Sequence, residues 1–296
     1  MTEPAATSAN ATGSAVPSGE FRLARTSRQT VTASAGGRRY EVLLAAPPGP
    51  PPPCGYPLFL VLDADHLFGT AVEALRRSCH RPSATGVSPA VIAGIRPLPE
   101  PDGADPRRRD FLPASAAPFL ACLEGDVLPA IARHFSIDQS QRTLFGHSLA
   151  GCFVLHVLQA RPGLFTRWIA ASPSIWADPE RLEQGFAALA AFVAVAPCEL
   201  RVMVAVGGWE QGLAPWQAAE ADAPAMASRR AERGMVDRAR AFARRLDALA
   251  GPSFRVRYEE LAHEDHASVV PVALAHGLRF ALAPARLLDN WPRPAP

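Results

Sequence analysis

Short, continuously apolar segments alternate with longer amphipathic segments from about residue 40 onward, and this alternation constrains the fold more than any other feature. Residues 58–62 and 202–206 are apolar throughout, which is typical of parallel strands covered on both faces. Strands of this kind separated by helices indicate an α/β fold. The sequence therefore predicts a mostly parallel, doubly wound sheet with helices on both faces. The predicted strands are 40–45, 58–62, 90–95, 142–145, 168–171, 201–206 and 254–258, and the predicted helices are 66–81, 118–135, 149–161, 229–250 and 269–282.

The domain organisation follows from where this alternation begins and ends. The first 19 residues are polar and small, as in a disordered tail, and residues 286–296 resemble a second tail. A proline-rich run at 47–53 is incompatible with a central strand, so we interpret it as an exposed, stiff loop. We expect a single α/β domain over residues 20–285.

The basic residues are unusual because the 296-residue chain contains arginine but no lysine. This excludes a Schiff base to pyridoxal phosphate, a Walker lysine and the strand lysine of protein kinases. The formal net charge of +2 also argues against a nucleic-acid partner, because such domains are usually strongly basic.

Cysteine usage and hydropathy bear on the compartment. The five cysteines are scattered, form no C-x-x-C pair and are odd in number, which favours reduced thiols over a disulfide framework or structural zinc. The N-terminus has neither a basic segment nor the apolar run of a signal peptide. No stretch approaches the ~18 apolar residues of a spanning helix. We therefore expect a cytoplasmic protein without a membrane partner.

The strongest chemical signal is the segment Gly146-His-Ser148-Leu-Ala-Gly151. An apolar strand leads into a small-residue turn and a helix follows directly, as a G-x-S-x-G nucleophile elbow requires. Ser148 is then the candidate nucleophile, and the amide of Leu149 is placed to donate to an oxyanion. Ala150 replaces the second glycine of the motif, and an ordinary serine in a strand–helix turn is the alternative interpretation.

Candidate acid and base residues follow in the order that α/β hydrolases use, serine, then acid, then histidine. Glu210 lies just beyond the strand 201–206, and His263 and His266 lie in the loop before the last helix. The two histidines also have the H-x-x-H spacing of a metal site, although no further ligands are evident. Glu264 and Asp265 are alternative acids for orienting the histidine. The simplest alternative for all of these residues is that they are solvated polar side chains in loops.

Five local patterns extend across the chain and resemble one family. They are Leu60-Val-Leu-Asp63-Ala64-Asp65, Arg108-Arg109-Asp110-Phe111-Leu112-Pro113, Gly146-His-Ser-Leu-Ala-Gly151, Ala171-Ser-Pro-Ser-Ile-Trp176 and Glu264-Asp-His266-Ala-Ser268-Val. Together they resemble the putative-esterase (esterase D) family of α/β hydrolases. The most similar branch is the ferric-siderophore esterases that open enterobactin- and salmochelin-type trilactones, and the resemblance covers residues 21–282.

The resemblance implies roles for particular residues. It makes Ser148 the nucleophile, His266 the base and Glu210 the acid, with the backbone amides of Leu149 and Asp65 as oxyanion donors. Some members of the branch use a serine–histidine dyad, so triad and dyad both stay open. Ala64 stands where the family has glycine, and His263 stands where it often has glycine. The implied ester hydrolysis proceeds through an acyl-enzyme and needs no cofactor, and any iron belongs to the substrate.

Substrate-binding residues are expected beyond the carboxyl ends of the strands. Residues 107–113 are predicted to form a loop there, and Arg108 and Arg109 suit a flat, anionic ferric catecholate. Trp176 and Trp209 are expected to supply aromatic walls. The sequence thus predicts a small-molecule ester substrate of the siderophore type. The alternatives are a general carboxylesterase or thioesterase and a non-catalytic, siderophore- or partner-binding member.

Overall fold

An eight-stranded sheet organises the chain in the computed structural model, which describes residues 22–99, 105–249 and 253–288. Strand order across the sheet is β1-β2-β4-β3-β5-β6-β7-β8. The strands are β1 Thr26–Thr32, β2 Arg39–Ala45, β3 Tyr56–Leu62, β4 Val91–Pro97, β5 Ile137–His147, β6 Arg167–Ala171, β7 Leu200–Gly207 and β8 Phe254–Leu261.

The pairing of the strands confirms the mostly parallel sheet expected from the sequence. Strands β3 to β8 pair in parallel, whereas β1 and β2 add an antiparallel edge next to β4. The chain reverses its winding direction at β3, since β4 lies on one side of that strand and β5 on the other. Strand β1 was not predicted because it lies at the edge, where most of its side chains are exposed or half-buried.

Helices cover both faces of the sheet, as predicted. In β3 the side chains of Leu58, Leu60 and Leu62 pack on the face covered by α6 and α10, while Phe59 and Val61 pack under α1 and α11. The α-helices are α1 Ala64–Cys79, α2 Pro82–Thr85, α3 Pro106–Phe111, α4 Ala117–Cys122, α5 Leu128–Ala132, α6 Leu149–Ala160, α7 Pro179–Gln184, α8 Phe186–Val193, α9 Ala223–Arg233, α10 Met235–Asp247, α11 Val269–Leu282 and α12 Ala285–Leu288.

Three predicted segments differ in the structure. The predicted helix 229–250 is two helices, because Gly234 adopts a left-handed φ of 54° between α9 and α10. The predicted helix 118–135 contains a π-helical turn at Leu123–Val127 between α4 and α5. The prediction of a loop over 107–113 was wrong for residues 107–111, which belong to helix α3. The Asp105 side chain caps this helix by accepting a hydrogen bond from the Arg107 amide.

The two predicted tails fall largely outside the described residues. The N-terminal tail, 1–19, lies wholly outside them, as do residues 289–296. Within the predicted C-terminal tail, α12 instead forms a short helix, and Leu288 is buried in the core. Among the described residues, none of the helices combines the length and apolar character needed to cross a membrane.

Candidate active site at the carboxyl edge of the sheet

Ser148 lies on a sharp turn between the end of β5 and the start of α6. Its φ of 60° and ψ of −117° are strained for a residue with a side chain, and such strain is typical of a nucleophile elbow. The turn brings the helix very close to the strand at Gly146. A Cβ atom there would lie 2.3 Å from the Ala150 carbonyl oxygen, so only glycine fits. The backbone around Ser148 therefore has the geometry that the sequence pattern of the elbow predicts.

The two alanines that replace glycines of the family pattern have specific environments. Ala150 is fully buried in the core, and the close approach falls instead at Gly151, where a Cβ atom would lie 2.8 Å from the Ala171 carbonyl oxygen. Ala64 packs against Gly94 of β4, which offers no Cβ of its own. Each extra methyl group thus occupies space that the surrounding chain leaves for it.

His266 and Glu210 meet Ser148 in a continuous hydrogen-bonded chain. The Ser148 Oγ lies 3.0 Å from His266 Nε2, and His266 Nδ1 lies 2.6 Å from Glu210 Oε2. Glu210 is buried, whereas His266 is open to solvent. This is the connectivity of a serine–histidine–acid triad, in which a buried acid orients the imidazole and the imidazole can accept the hydroxyl proton.

The loops that carry Glu210 and His266 approach each other through glycine. A Cβ atom on Gly207 would lie 2.4 Å from the Glu264 carbonyl oxygen, and one on Gly208 would lie 2.8 Å from that of Ala262. Glu210 follows directly in a 3-10 turn, Gly208–Glu210. The pair of glycines after β7 is therefore what allows the acid and the histidine loop to lie side by side.

The alternative candidates in the histidine loop have other partners. Asp265 accepts hydrogen bonds from the backbone amides of Ala267 and Ser268 at 2.8 and 2.9 Å, so its carboxylate stabilises the loop before α11. The His263 ring lies against Trp209, with 5.8 Å between ring centroids. No group of three or more potential metal-ligating His, Cys, Asp or Glu side chains is found within residues 22–99, 105–249 and 253–288.

His147 is a component of the site that sequence reasoning missed. Its ring packs on that of His266, with 4.6 Å between centroids, and its Nε2 is buried without a hydrogen-bond partner among the described residues. Burial, and then the electrostatic interaction with His266, lowers the pKa of His147 to about 4. The imidazole is therefore neutral at physiological pH. Its position immediately before the candidate nucleophile Ser148 was the available signal.

Backbone strain also marks the site. Four non-glycine residues among those described have positive φ, and three of them, Asp63, Ser148 and Ser172, stand at the carboxyl ends of β3, β5 and β6. The gap between β3 and β5 is the point where the winding direction reverses, which is where ligands bind in open α/β sheets. Leu149 is the first residue of α6 and Asp65 the second of α1, so their amides lack intrahelical acceptors.

The three consecutive arginines of α3 have three different environments, because neighbouring helical side chains point about 100° apart. Arg107 forms a bidentate ion pair with Asp63, with N–O distances of 2.9 and 3.0 Å. Arg108 is exposed, and its guanidinium has no partner among the described residues. Arg109 pairs at 2.8 Å with the buried Asp110. Sequence reasoning named Arg108 and Arg109 but not Arg107. The segment was predicted as a loop, and a loop does not indicate the direction in which each side chain points.

Both predicted tryptophans lie near the triad in the chain and in space. Trp176 lies two residues after Ser174, whose hydroxyl oxygen is 3.3 Å from that of Ser148. The Arg233 guanidinium stacks over the Trp176 ring, 4.8 Å from the ring centroid. Trp209 precedes Glu210 and packs edge-on against Trp216, which is 58% exposed. Trp216 was not identified from the sequence, because nothing in its local pattern links it to the site.

Fold and site together define a serine ester hydrolase of the α/β-hydrolase class. Comparison with known proteins gives the same class. A family model described as "Putative esterase" matches residues 113–246. The ferri-bacillibactin esterase BesA of Bacillus subtilis (strain 168) is 34% identical over 290 residues, covering 90% of this chain and 93% of its own. The chain belongs to this putative-esterase family, which confirms the resemblance seen in the sequence.

Two further comparisons extend over most of the chain. The siderophore triacetylfusarinine C esterase of Aspergillus fumigatus is 30% identical over 250 residues, covering 80% of this chain and 82% of its own. The crystal structure of the BES protein from Bacillus cereus superposes with a TM-score of 0.78 at 29% identity, covering 91% of this chain and 99% of that one. The described fold is thus that of its family.

Proposed function

We propose that this protein hydrolyses the ester bonds of siderophores, with Ser148 as nucleophile, His266 as general base and Glu210 as orienting acid. The observation that carries the proposal is the chain of hydrogen bonds from Ser148 Oγ through both nitrogens of His266 to Glu210, with distances of 3.0 and 2.6 Å. Hydrogen-bonded contact between nucleophile, base and acid is the defining geometry of this chemistry.

The reaction proceeds in two halves. His266 Nε2 takes the Ser148 proton as Oγ attacks the ester carbonyl, and the first-turn amides of Leu149 and Asp65 hold the oxyanion. The ester C–O bond then breaks and Nε2 returns the proton to the leaving alcohol. A water, deprotonated by the same nitrogen, then attacks the acyl carbonyl. The bond between that carbon and Ser148 Oγ breaks, Nε2 returns its proton to Oγ, and the acid is released. Glu210 accepts the Nδ1 hydrogen bond throughout and stabilises the imidazolium.

The siderophore as substrate class is supported by the relatives and by the surroundings of the triad. Relatives that cover most of the chain are esterases of ferri-bacillibactin, of triacetylfusarinine C and, at 31% identity, of enterobactin. Trp176 and Trp209 follow Ser174 and precede Glu210 closely in the chain, and Arg108 of α3 is an exposed cation with no partner among the described residues. A ferric catecholate complex is anionic and presents flat aromatic rings, and it suits such residues because guanidinium groups stack on rings and attract anions.

Two tests address the nucleophile. Ser148→Ala and His266→Ala should each lower kcat on the order of 10³-fold or more, and the double variant should lose little beyond either single one. An organophosphonate should label wild type at Ser148 and leave Ser148→Ala unlabelled. Near-normal activity of Ser148→Ala would exclude the mechanism.

The substrate class is tested with a panel of ferric and iron-free catecholate trilactones beside neutral aryl esters. Arg108→Ala should raise KM several-fold for the ferric complex and leave aryl esters unchanged, because only the complex is anionic. Arg109→Ala should have a smaller effect, since its guanidinium is already paired with Asp110. Efficient cleavage of aryl esters with trilactones untouched, and no difference between substrates in either variant, would favour a general carboxylesterase.

We also propose a cytoplasmic location. All five cysteines are free thiols, as expected in a reducing compartment. Cell fractionation with an antibody to the protein checks this, and recovery from an oxidising compartment would contradict it.

A further inference from the structure

The segment Ala171-Ser-Pro-Ser-Ile-Trp176, which marked the family in the sequence, has no role in the reaction as proposed so far. It leaves the end of β6, between the strands that carry Ser148 and Glu210. Both of its serine side chains are buried, Ser172 completely and Ser174 with 3% exposed. A buried hydroxyl needs a hydrogen-bond partner, so the identity of each partner is informative.

Ser172 holds the acid of the triad. Its hydroxyl donates a hydrogen bond to Glu210 Oε1, and the same oxygen accepts a hydrogen bond from the Gly207 amide at 2.7 Å. These two donors fix the carboxylate so that Oε2 is presented to His266 Nδ1. Ser172 reaches this position only with a φ of 44°, which is strained for serine and is fixed by the hydrogen bond from its amide to the Ala205 carbonyl.

Ser174 lies at the other end of the triad. Its Oγ is 3.3 Å from the Ser148 Oγ, and its amide donates to the Ser148 carbonyl at 3.0 Å. The Ser148 proton is directed to His266 Nε2 when Nδ1 carries the proton shared with Glu210. Ser174 must therefore be the donor in the contact between the two hydroxyls, and it orients a lone pair of the nucleophile.

We infer that Ser172 and Ser174 are positioning residues, and that the segment Ser172-Pro173-Ser174 fixes the acid and the nucleophile relative to each other. The inference rests on the proposed function. The same short loop contacts both ends of the triad, so His266 enters a gap whose width the loop sets. Gly151 makes this possible, because a Cβ atom there would lie 3.1 Å from Pro173 Cα. Misplacement of reacting groups by about 1 Å can cost on the order of 100-fold in rate.

The central experiment is a double-mutant cycle between Ser172 and Glu210, measured as kcat and KM. Ser172→Ala should lower kcat about 10- to 100-fold with KM changed less than about threefold. In the Glu210→Ala background the same substitution should have almost no effect, because Ser172 acts through that carboxylate. A loss of less than twofold in the wild-type background, or equal losses in both backgrounds, would overturn the inference.

Two further variants separate the hydroxyl from the backbone strain and from simple destabilisation. Ser172→Gly removes the hydroxyl but accepts a positive φ at no steric cost, so it should fold and lose as much kcat as Ser172→Ala. Recovery of activity in Ser172→Gly would assign the loss to strain and contradict a positioning role. Ser140→Ala is the matched control. It removes a 2.6 Å serine–carboxylate hydrogen bond to Asp138 near the amino end of β5, whereas the triad lies at the carboxyl ends of the strands, so its kcat should be unchanged.

The Ser174 contact is tested through the nucleophile itself. Ser174→Ala should slow organophosphonate labelling of Ser148 about 3- to 10-fold, and Ser174→Thr should restore most of the rate. Equal labelling of wild type and Ser174→Ala would remove Ser174 from the inference. Ser148→Ala is assayed alongside. An inactive Ser148→Ala with fully active Ser172 and Ser174 variants refutes the positioning role alone, whereas an active Ser148→Ala refutes the proposed function.

Discussion

A buried or half-buried carboxylate lies just beyond each end of strand β7, and the two carboxylates have different hydrogen-bond partners. Glu199 precedes Leu200 at the amino end, and Glu210 follows Gly207 at the carboxyl end. Glu199 is surrounded by arginines. Its Oε2 accepts from Arg201 at 2.9 and 2.7 Å, and its Oε1 accepts from Arg255 at 2.6 Å.

Glu210, by contrast, has neutral donors on one oxygen and an imidazole on the other. The hydroxyl of Ser172 and the amide of Gly207 bind Oε1, and His266 binds Oε2. A carboxylate compensated by cations has no negative charge left for a reacting group. A carboxylate held by neutral donors keeps its charge available to stabilise a nearby imidazolium. The contrast teaches that the partners of a buried acid distinguish a structural group from a candidate catalytic one.

The largest effect is expected from Glu210→Gln. The amide group of glutamine favours a lone pair on His266 Nδ1, which places the proton on Nε2 and prevents that nitrogen from accepting the Ser148 proton. We expect kcat to fall about 10²- to 10⁴-fold while the free energy of unfolding changes by less than about 1 kcal/mol. Steady-state kinetics and urea unfolding measure the two quantities. A loss of kcat below about tenfold would favour a serine–histidine dyad.

Glu199→Gln should show the opposite pattern. It leaves Arg201, which is 4% exposed on its side chain, without its counterion, although Arg201 also donates to the carbonyl oxygens of Phe280 and Ala283. Removing one member of a buried ion pair typically costs about 3–5 kcal/mol, and the partial exposure of Glu199 reduces this to about 2–3 kcal/mol. We expect kcat within twofold of wild type. A large loss of kcat with normal stability would break the distinction between the two carboxylates.

The same variant has a defined pH dependence. Burial raises the pKa of Glu199, but the hydrogen bonds and charges of Arg201, Arg167 and Arg255 outweigh burial and hold it below its usual value near 4.5. A depressed pKa in the folded state contributes stability above pH 4.5 that is lost as the pH falls further. The stability difference between wild type and Glu199→Gln should therefore be constant above about pH 5 and narrow below pH 4.5. A difference that widens in acid would contradict the ion pair.

A smaller effect is expected from His147→Phe, which removes a titratable ring from beside the triad. Burial lowers the pKa of His147 from 6.5 to about 4, so the unfolded chain binds a proton in that interval while the folded chain does not. Wild type should lose about 2 kcal/mol of stability between pH 6.5 and 4 for this reason, and His147→Phe should not. Unfolding midpoints across this range measure the difference. If the unfolding midpoints of wild type and His147→Phe change identically with pH, the His147 ring is not the cause of the loss of stability.

The activity of His147→Phe provides its control. A phenyl ring keeps the packing against His266, so kcat at neutral pH should stay within about fivefold of wild type. A loss comparable to that of His266→Ala would instead give His147 a direct part in the chemistry.

Local patterns in the sequence were sufficient for the fold class and for the nucleophile candidate. Apolar runs predicted the inner strands, because buried parallel strands need apolar side chains on both faces. The segment around Ser148 predicted an elbow, because strand, small-residue turn and helix are consecutive in the chain. Edge strand β1 and the break at Gly234 were missed, since an exposed edge carries no apolar run and a single glycine does not reveal its φ.

Only the tertiary structure decided which polar groups meet. Glu210 and His266 are 56 positions apart, and Ser148 and His266 are 118 apart, so only the structure shows that His266 contacts Glu210 and Ser148. Likewise, the orientation of α3 places the Arg107 side chain against Asp63, and the end of β6 places Ser172 against Glu210. The sequence by itself determined the elements and the order of the candidate residues. Their contacts were decided by sheet topology, because parallel strands bring distant carboxyl ends to one edge.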